Sequence, residues 1–470
     1  MARTEPPSLR QYVGPAERFL FDRHGLAHCP NLNGGTALGG GVADLADKSV
    51  LVATGSQLTT ALALIELDGV ARRLTILPPD SDPSHFAAIV AGADVDAVVL
   101  DRSSPVSPAF ERLRQVMCTA EVAPAPQLPA PSRATEWVML TSGTTGLPKM
   151  VVHSVAGLTA AFRQRKVESD VVWATFYDIR RYGGLQIFLR AVLGGTSLVL
   201  SSGGEPIAEH LARLGRHGVT HVLGTPTHWR RALMSPAIRK ISPRYVRLSG
   251  EIADQAILDS LRKTFPAAVV SHAYASTEAG VAFEVRDGLA GFPAELVERA
   301  RDGIEMKVLG GSLRIRSPRS AARYIGTDTA LADRDGFVDT GDMVELQDER
   351  YLFAGRRGGI INIGGLKVHP EEVEAVINRH PQVRMSLVRG KRSPITGAVV
   401  IADVVLEDAA ANLSPAEGRS DLNRVDLNRV KGDILQFCRE ALPHYKVPAA
   451  ISIVPALDVA ATGKLLRRHG

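Results

Sequence analysis

The stretch LTSGTTGLPKM spans residues 140–150. Between Thr141 and Lys149 it gathers four hydroxyl side chains (Thr141, Ser142, Thr144, Thr145), two glycines (Gly143, Gly146) and one lysine. Glycine lets a backbone turn sharply and approach a ligand closely. Successive N–H groups and hydroxyls form a nest for an anion. The composition is that of a loop that holds phosphate. A Walker A loop places its lysine directly after the last glycine; here Leu147 and Pro148 intervene, and the P-loop NTPase pattern fails. WVML (137–140) before the loop and MVVHS (150–154) after it read as strands. The loop therefore closes a hairpin rather than capping a helix.

Outward from this point the chain alternates. SVLVATG (49–55) reads as a buried strand, QLTTALALIELDGV (57–70) as an amphipathic helix and RLTILPP (73–79) as a second strand. A helical PSHFAAIVAGA (83–93) and the strand DAVVLD (96–101) follow. This β-α-β-α-β order predicts a parallel sheet covered by helices. The Pro- and Ala-rich 119–135 reads as an extended connector. Alternation resumes with VVWA (171–174), TSLVL (196–200), HVLG (221–224) and VRLSG (246–250). From about Gly303 it gives way to short strands and turns (EMKVLG, SLRIRS, GFVDTGDMVEL, RYLFAG), a small β-subdomain. A new unit follows GRRGG (355–359), with a helix opened by Pro370, strands near 383–388 and 398–405, a further helix and a last strand. The expected fold is α/β: a large N-terminal domain over 1–355, a hinge at 356–359, and a small α+β C-terminal domain over 360–470.

Composition narrows the function classes. No run of about 18 apolar residues is present, so no membrane span is expected. MARTEPPSLRQYVG lacks the apolar core of a signal peptide. The three cysteines (Cys29, Cys118, Cys438) are scattered, which argues against a disulfide framework or zinc site and fits a reducing cytoplasm. Net charge is +5, yet arginine is spread along the chain without the basic, aromatic-laced cluster that nucleic acid requires. The expected partners are small anionic substrates.

Four further motifs carry chemistry: YASTEAG (274–280), TGD (340–342), GRRGGIINIGGLKVHPEEVE (355–374) and TGKLLRR (462–468). With TSGTTGLPK they stand in the order of the adenylate-forming superfamily, which the chain resembles over most of its length: acyl-CoA synthetases, peptide-synthetase adenylation domains and luciferases. The resemblance implies a carboxylate attacking the α-phosphate of ATP, with Mg²⁺, to give acyl-AMP and pyrophosphate. A thiol, of coenzyme A or of a carrier protein's phosphopantetheine, then takes the acyl group. An amine acceptor, or a silent nucleotide-binding regulator, remains open.

By the same resemblance, Thr141, Ser142, Gly143, Thr144, Thr145, Gly146 and Lys149 wrap the β- and γ-phosphates. Thr277 contacts the α-phosphate, and Glu278 is the Mg²⁺ ligand, an oxygen donor of the kind a hard cation prefers. Asp342 chelates the ribose hydroxyls and Arg356 lies beside them. Gly250, Glu251 and Ile252 pack on adenine, with Tyr274, Ala275 and Ser276 on its other side. Lys464 is the catalytic lysine of a C-terminal domain that rotates between half-reactions, after which Gly364, Gly365 and Lys367 line the thiol channel. The acyl pocket falls on Tyr177, Arg181, Tyr182, Gly183, Gly184, Ala279 and Gly280, with Asp178 and Arg180 as neighbouring candidates. Three positions depart from the pattern. Met150 and Ala275 stand where glycine is usual, and Gly358 where the hinge usually has an acidic or basic side chain.

Overall fold

The computed structural model describes residues 8–14, 17–39, 41–125, 127–141, 146–162, 170–363, 365–393, 397–407, 420–460 and 462–467. Two large sheets lie side by side. The first has seven strands, in the order 323–325, 149–154, 136–141, 73–76, 49–52, 97–100 and 114–117. In that order the five strands from 136–141 to 114–117 run parallel, and the antiparallel strands 149–154 and 323–325 complete one side. Every residue of Ser49–Val52 is buried, as expected for a parallel strand covered on both faces. The helix Gln57–Leu67, N-capped by Ser56, is buried along its whole length. It is therefore not amphipathic in place: it lies in a core shared by both sheets, where Val50, Leu74 and Ile76 of the first meet Leu198 and Leu223 of the second, and its polar Gln57, Thr59, Thr60 and Glu66 are buried on hydrogen-bond partners.

The second sheet has eight strands, in the order 280–285, 269–276, 245–249, 221–224, 172–175, 197–199, 19–21 and 26–28. In its strand Tyr245–Ser249, Val246 and Leu248 point into the core beneath the outer helices. Tyr245, Arg247 and Ser249 alternate onto the opposite face, toward the first sheet. A five-stranded antiparallel sheet over 292–356 forms the β-subdomain and pairs Asp342 directly with Arg356. Beyond it, strands 383–393, 397–406 and 450–453 with helices 370–377 and 420–441 enclose a separate core. The helix 420–441 runs through the duplicated DLNRVDLNRV.

Met150 shows how one departure is absorbed. It is buried in the core of the first sheet, between Leu140 and Ile325. A Cβ on Gly92 would lie 2.4 Å from its Cε, and one on Gly326 would lie 2.8 Å from it. Two glycines thus vacate the volume that the methionine fills. Met150→Gly should leave a void and loosen a strand, destabilising by about 3–5 kcal/mol. A melting temperature unchanged from the wild type would refute this packing account.

Candidate active site

A hairpin of the C-terminal domain enters the cleft beneath the N-terminal domain. Val459 bridges Leu465, Ala460 N–H donates to Lys464 O (2.8 Å), and Gly463 N–H donates to Ala460 O (2.8 Å). Gly463 has φ +74°, and a Cβ there would stand 1.7 Å from the His228 ring, so only glycine fits. The carbonyl of Gly463 accepts from Thr225 Oγ1 (2.7 Å). Thr225 is also the N-cap of helix Pro226–Leu233 and accepts from His228 N–H (3.0 Å). His228 Nδ1 accepts from Thr225 N–H (3.2 Å); burial pushes that imidazole down to about 3, so it stays neutral and can accept.

Glu251 spans the two domains. One oxygen accepts from Thr227 N–H (3.0 Å), in the first turn of that helix, and the other from Leu465 N–H (3.0 Å). Lys464 is thereby held over Gly250, whose Cβ would lie 3.5 Å from Lys464 Cε and 3.9 Å from Nζ. Lys464 keeps solvent access in the cleft. Burial lowers its pKa; Glu251 and Asp342 oppose that shift, while Arg356 and Arg181 add to it. Asp342, Arg356, Arg181 and Glu251 therefore act electrostatically on one ammonium. Elsewhere Asn378 Nδ2 donates to Asp254 Oδ2 (3.1 Å), a third bond between the domains. Arg467 holds the tail to its own domain through both oxygens of Glu374.

Asp342 accepts from Tyr274 Oη (2.5 Å) on one oxygen and Arg356 Nε (2.9 Å) on the other. Each carboxylate oxygen has a second lone pair, which leaves two acceptor positions for a vicinal diol. Tyr274 lies near-parallel to Phe353 (5.3 Å, 9°) and to Phe283 (5.8 Å, 22°). Burial and Asp342 raise its pKa well above the ordinary value, so the hydroxyl stays a donor. A bulge between Tyr274 and Ala275 precedes the turn Thr277-Glu278-Ala279, which Ser276 closes by accepting from Ala279 N–H. Bulges re-aim side chains beside functional sites. Gly280 has φ +75°, and a Cβ there would meet Arg319 O at 2.3 Å.

Glu278 is half-buried, and among the described residues it accepts a single long contact, from Tyr324 Oη at 3.5 Å. Lys149 Nζ stands 5.2 Å above that tyrosine ring. Among the described residues no group of three His, Cys, Asp or Glu side chains could hold a metal. One largely free carboxylate suits Mg²⁺, which takes one or two protein carboxylates and fills its shell with phosphate and water.

On the acyl side, Tyr177 Oη donates to Ser249 O (2.7 Å), and its ring faces Gly183. Gly184 is required, since a Cβ would meet Asp178 O at 2.2 Å. Tyr182 is buried at the start of helix Tyr182–Leu193. Arg181, at the N-cap of that helix, pairs with Asp80. Arg180 and Asp178 are corrected as candidates: they pair with each other through two bonds, and Arg180 also donates to Thr54 O and Gly55 O. That network locks the turn and leaves neither side chain for substrate. Ala279 is buried, and Ile252 is half-buried next to Glu251.

Gly365 and Lys367 lie exposed on the hairpin 361–368, and no hydrogen bond among the described residues joins them to the cleft. Ser142, Gly143, Thr144, Thr145 and Gly364 fall outside the described residues. Thr141 pairs with Lys149 at the base of the phosphate-loop hairpin, and Gly146 follows the loop's undescribed part. Gly358 lacks a positive φ and a Cβ on it would meet nothing within 4 Å, so this arrangement does not demand glycine there.

Fold and cleft together define a two-domain adenylate-forming enzyme. The family model for AMP-binding enzymes matches residues 48–319, and that for the AMP-binding enzyme C-terminal domain matches 372–464. The chain belongs to the AMP-binding enzyme family. It is 26% identical over 442 residues to 2-succinylbenzoate–CoA ligase of Bacillus subtilis, covering 90% of this chain and 82% of that one. A benzoate CoA ligase from Burkholderia xenovorans shares the fold with a TM-score of 0.78 at 18% identity, over 98% of this chain and 99% of that one. The Bacillus subtilis o-succinylbenzoate coenzyme A synthetase in complex with ATP and magnesium gives a TM-score of 0.74 at 20% identity, over 99% of each chain.

Proposed function

We propose that this chain is an AMP-forming acid–thiol ligase that activates an aromatic carboxylic acid with ATP and passes the acyl group to coenzyme A. The observation that carries the reading is the meeting of Lys464 with Glu251, Asp342, Arg356 and Arg181 in one cleft, although the lysine comes from the other domain. The acid's carboxylate oxygen attacks the α-phosphorus of ATP. A new P–O bond forms as the bond to the bridging oxygen breaks, and pyrophosphate leaves with the electron pair. Lys464 offsets negative charge between the attacking and leaving oxygens. Asp342, fixed by Tyr274 and Arg356, orients the ribose. Glu278 would hold Mg²⁺, which neutralises phosphate charge when bound. In the second half-reaction the thiolate attacks the acyl carbonyl and AMP leaves.

An aromatic acid is supported by the aromatic side chains Tyr177 and Tyr182 on the acyl side and by relatives named for benzoate and 2-succinylbenzoate. The residues 356–359 act as the hinge. Rotation about them withdraws Lys464 and brings the exposed hairpin with Gly365 and Lys367 to the cleft, separating the two steps. Pyrophosphate exchange over a panel of aromatic, fatty and amino acids tests the first half-reaction, and aromatic acids should support the fastest exchange. Acyl transfer is then compared for coenzyme A, holo-carrier protein and amines, with coenzyme A expected to lead. A protein that binds ATP but exchanges with no acid would be a nucleotide-binding regulator instead.

A further inference from the structure

Among the described residues, Arg247 is a charge inside the fold without a hydrogen-bonded or ion-paired partner. It sits mid-strand in Tyr245–Ser249, is 7% exposed, and its Nε is enclosed with no acceptor. None of the hydrogen bonds or ion pairs among the described residues uses its guanidinium. Glu284, an acid that feels its charge, is already engaged by Tyr245 Oη (2.7 Å) and Arg286 Nε (2.8 Å). A buried guanidinium with unspent donors is unfavourable, and a fold keeps one where something else supplies the acceptor.

Its surroundings say where that acceptor lies. Arg247 shares a strand face with Ser249, whose carbonyl takes the Tyr177 hydroxyl. Its neighbours across the sheet are Leu223 and the small Ser271. The hydroxyls of both Tyr177 and Tyr182 feel its charge. Arg247 therefore lies within electrostatic reach of the same two tyrosines that flank the proposed acyl site, on the strand that leads up to the Gly250 beneath Lys464. Arginine presents a planar fork matched to a carboxylate.

We infer that Arg247 binds a second carboxylate on the substrate acid, at the end of the molecule opposite the one that is adenylated. This selects a dicarboxylic acid over the matching monoacid. The inference rests on the adenylation reading and adds the residue that reads the far end. Unlike Arg181, which is neutralised by Asp80, Arg247 retains its charge for a ligand.

The test is pyrophosphate exchange with matched acids: benzoates bearing a second carboxylate, directly or on a two-carbon arm, against the same compounds with that group as a neutral primary amide. The wild type should show a KM at least about tenfold lower for the best diacid. Arg247→Met should raise the diacid KM by about 10–100-fold, leave the amide and ATP values in place, and so erase the preference. Arg247→Lys, which keeps the charge but not the fork, should restore part of it. Thermal stabilisation by each acid alone reports the same selectivity without turnover. A wild type indifferent to the second carboxylate, or a loss in Arg247→Met equal for diacid and amide, overturns the inference. If Arg247→Met does not fold, Arg247→Lys decides by the same inequality. Exchange with no acid, in protein that still binds ATP, overturns the adenylation reading; diacid-selective stabilisation then still supports Arg247 as a carboxylate site, and its absence rejects that site too.

Discussion

Lys464→Ala loses about 10²–10³-fold in pyrophosphate exchange while largely keeping the thiolation of supplied acyl-AMP. The asymmetry is expected because Lys464 reaches the cleft only through the hairpin docked on Thr225 and Glu251. In the rotated arrangement proposed for the second step, the ammonium is elsewhere. Equal loss in both half-reactions would contradict a domain that alternates. Burial also lowers the pKa of Lys464. Its charge is fully present below the lowered pKa and is lost as pH rises through it, so adenylation should decline at lower pH than for an ordinary lysine. The decline should be absent from the thiolation profile.

Glu251→Gln separates the half-reactions in the same direction through a different cause. The carboxylate accepts one N–H from each domain. Glutamine keeps one acceptor oxygen and turns the other position into a donor that faces an N–H. Hydrogen bonds to charged groups contribute about 1.5–3 kcal/mol each, so exchange should fall by about tenfold or more, with thiolation unchanged or faster. Hydrogen exchange at the Leu465 amide should quicken in parallel. If the KM for ATP rises and the Leu465 amide keeps its protection, Glu251 serves the nucleotide and not the domain contact.

Much of this organisation was legible in the chain. The strands 49–52, 73–76 and 97–100 are apolar runs with helices between them, and period and punctuation suffice for such units. The strands Phe19–Phe21 and Leu26–His28 were not legible. Three residues carry no period, and their partner Ser197–Val199 lies far along the chain. Glu251 could be read only as a neighbour of adenine, because the amide it holds on the other domain is 214 residues away. Arg247 had a signal that passed unused. A strand in the middle of a parallel sheet is buried on both faces, and an arginine between Val246 and Leu248 breaks that rule. Arg180 and Arg181 looked equivalent as adjacent letters. Only the folded turn shows one tied to Asp178 and two carbonyls, and the other directed to the cleft.

Thr225 and Glu251 also set the toll on alternation. With the hairpin docked, Thr225 gives its proton to Gly463 while still capping its own helix, and Glu251 lends one oxygen across the gap while keeping the other at the helix start. When the hairpin departs, the helix keeps both of its caps and each released group turns to water. Such an exchange returns no more than a few kcal/mol to the docked hairpin. In the proposed alternation the docked arrangement is then favoured by a margin that differences in how ATP, acyl-AMP and thiol bind the two arrangements can overcome.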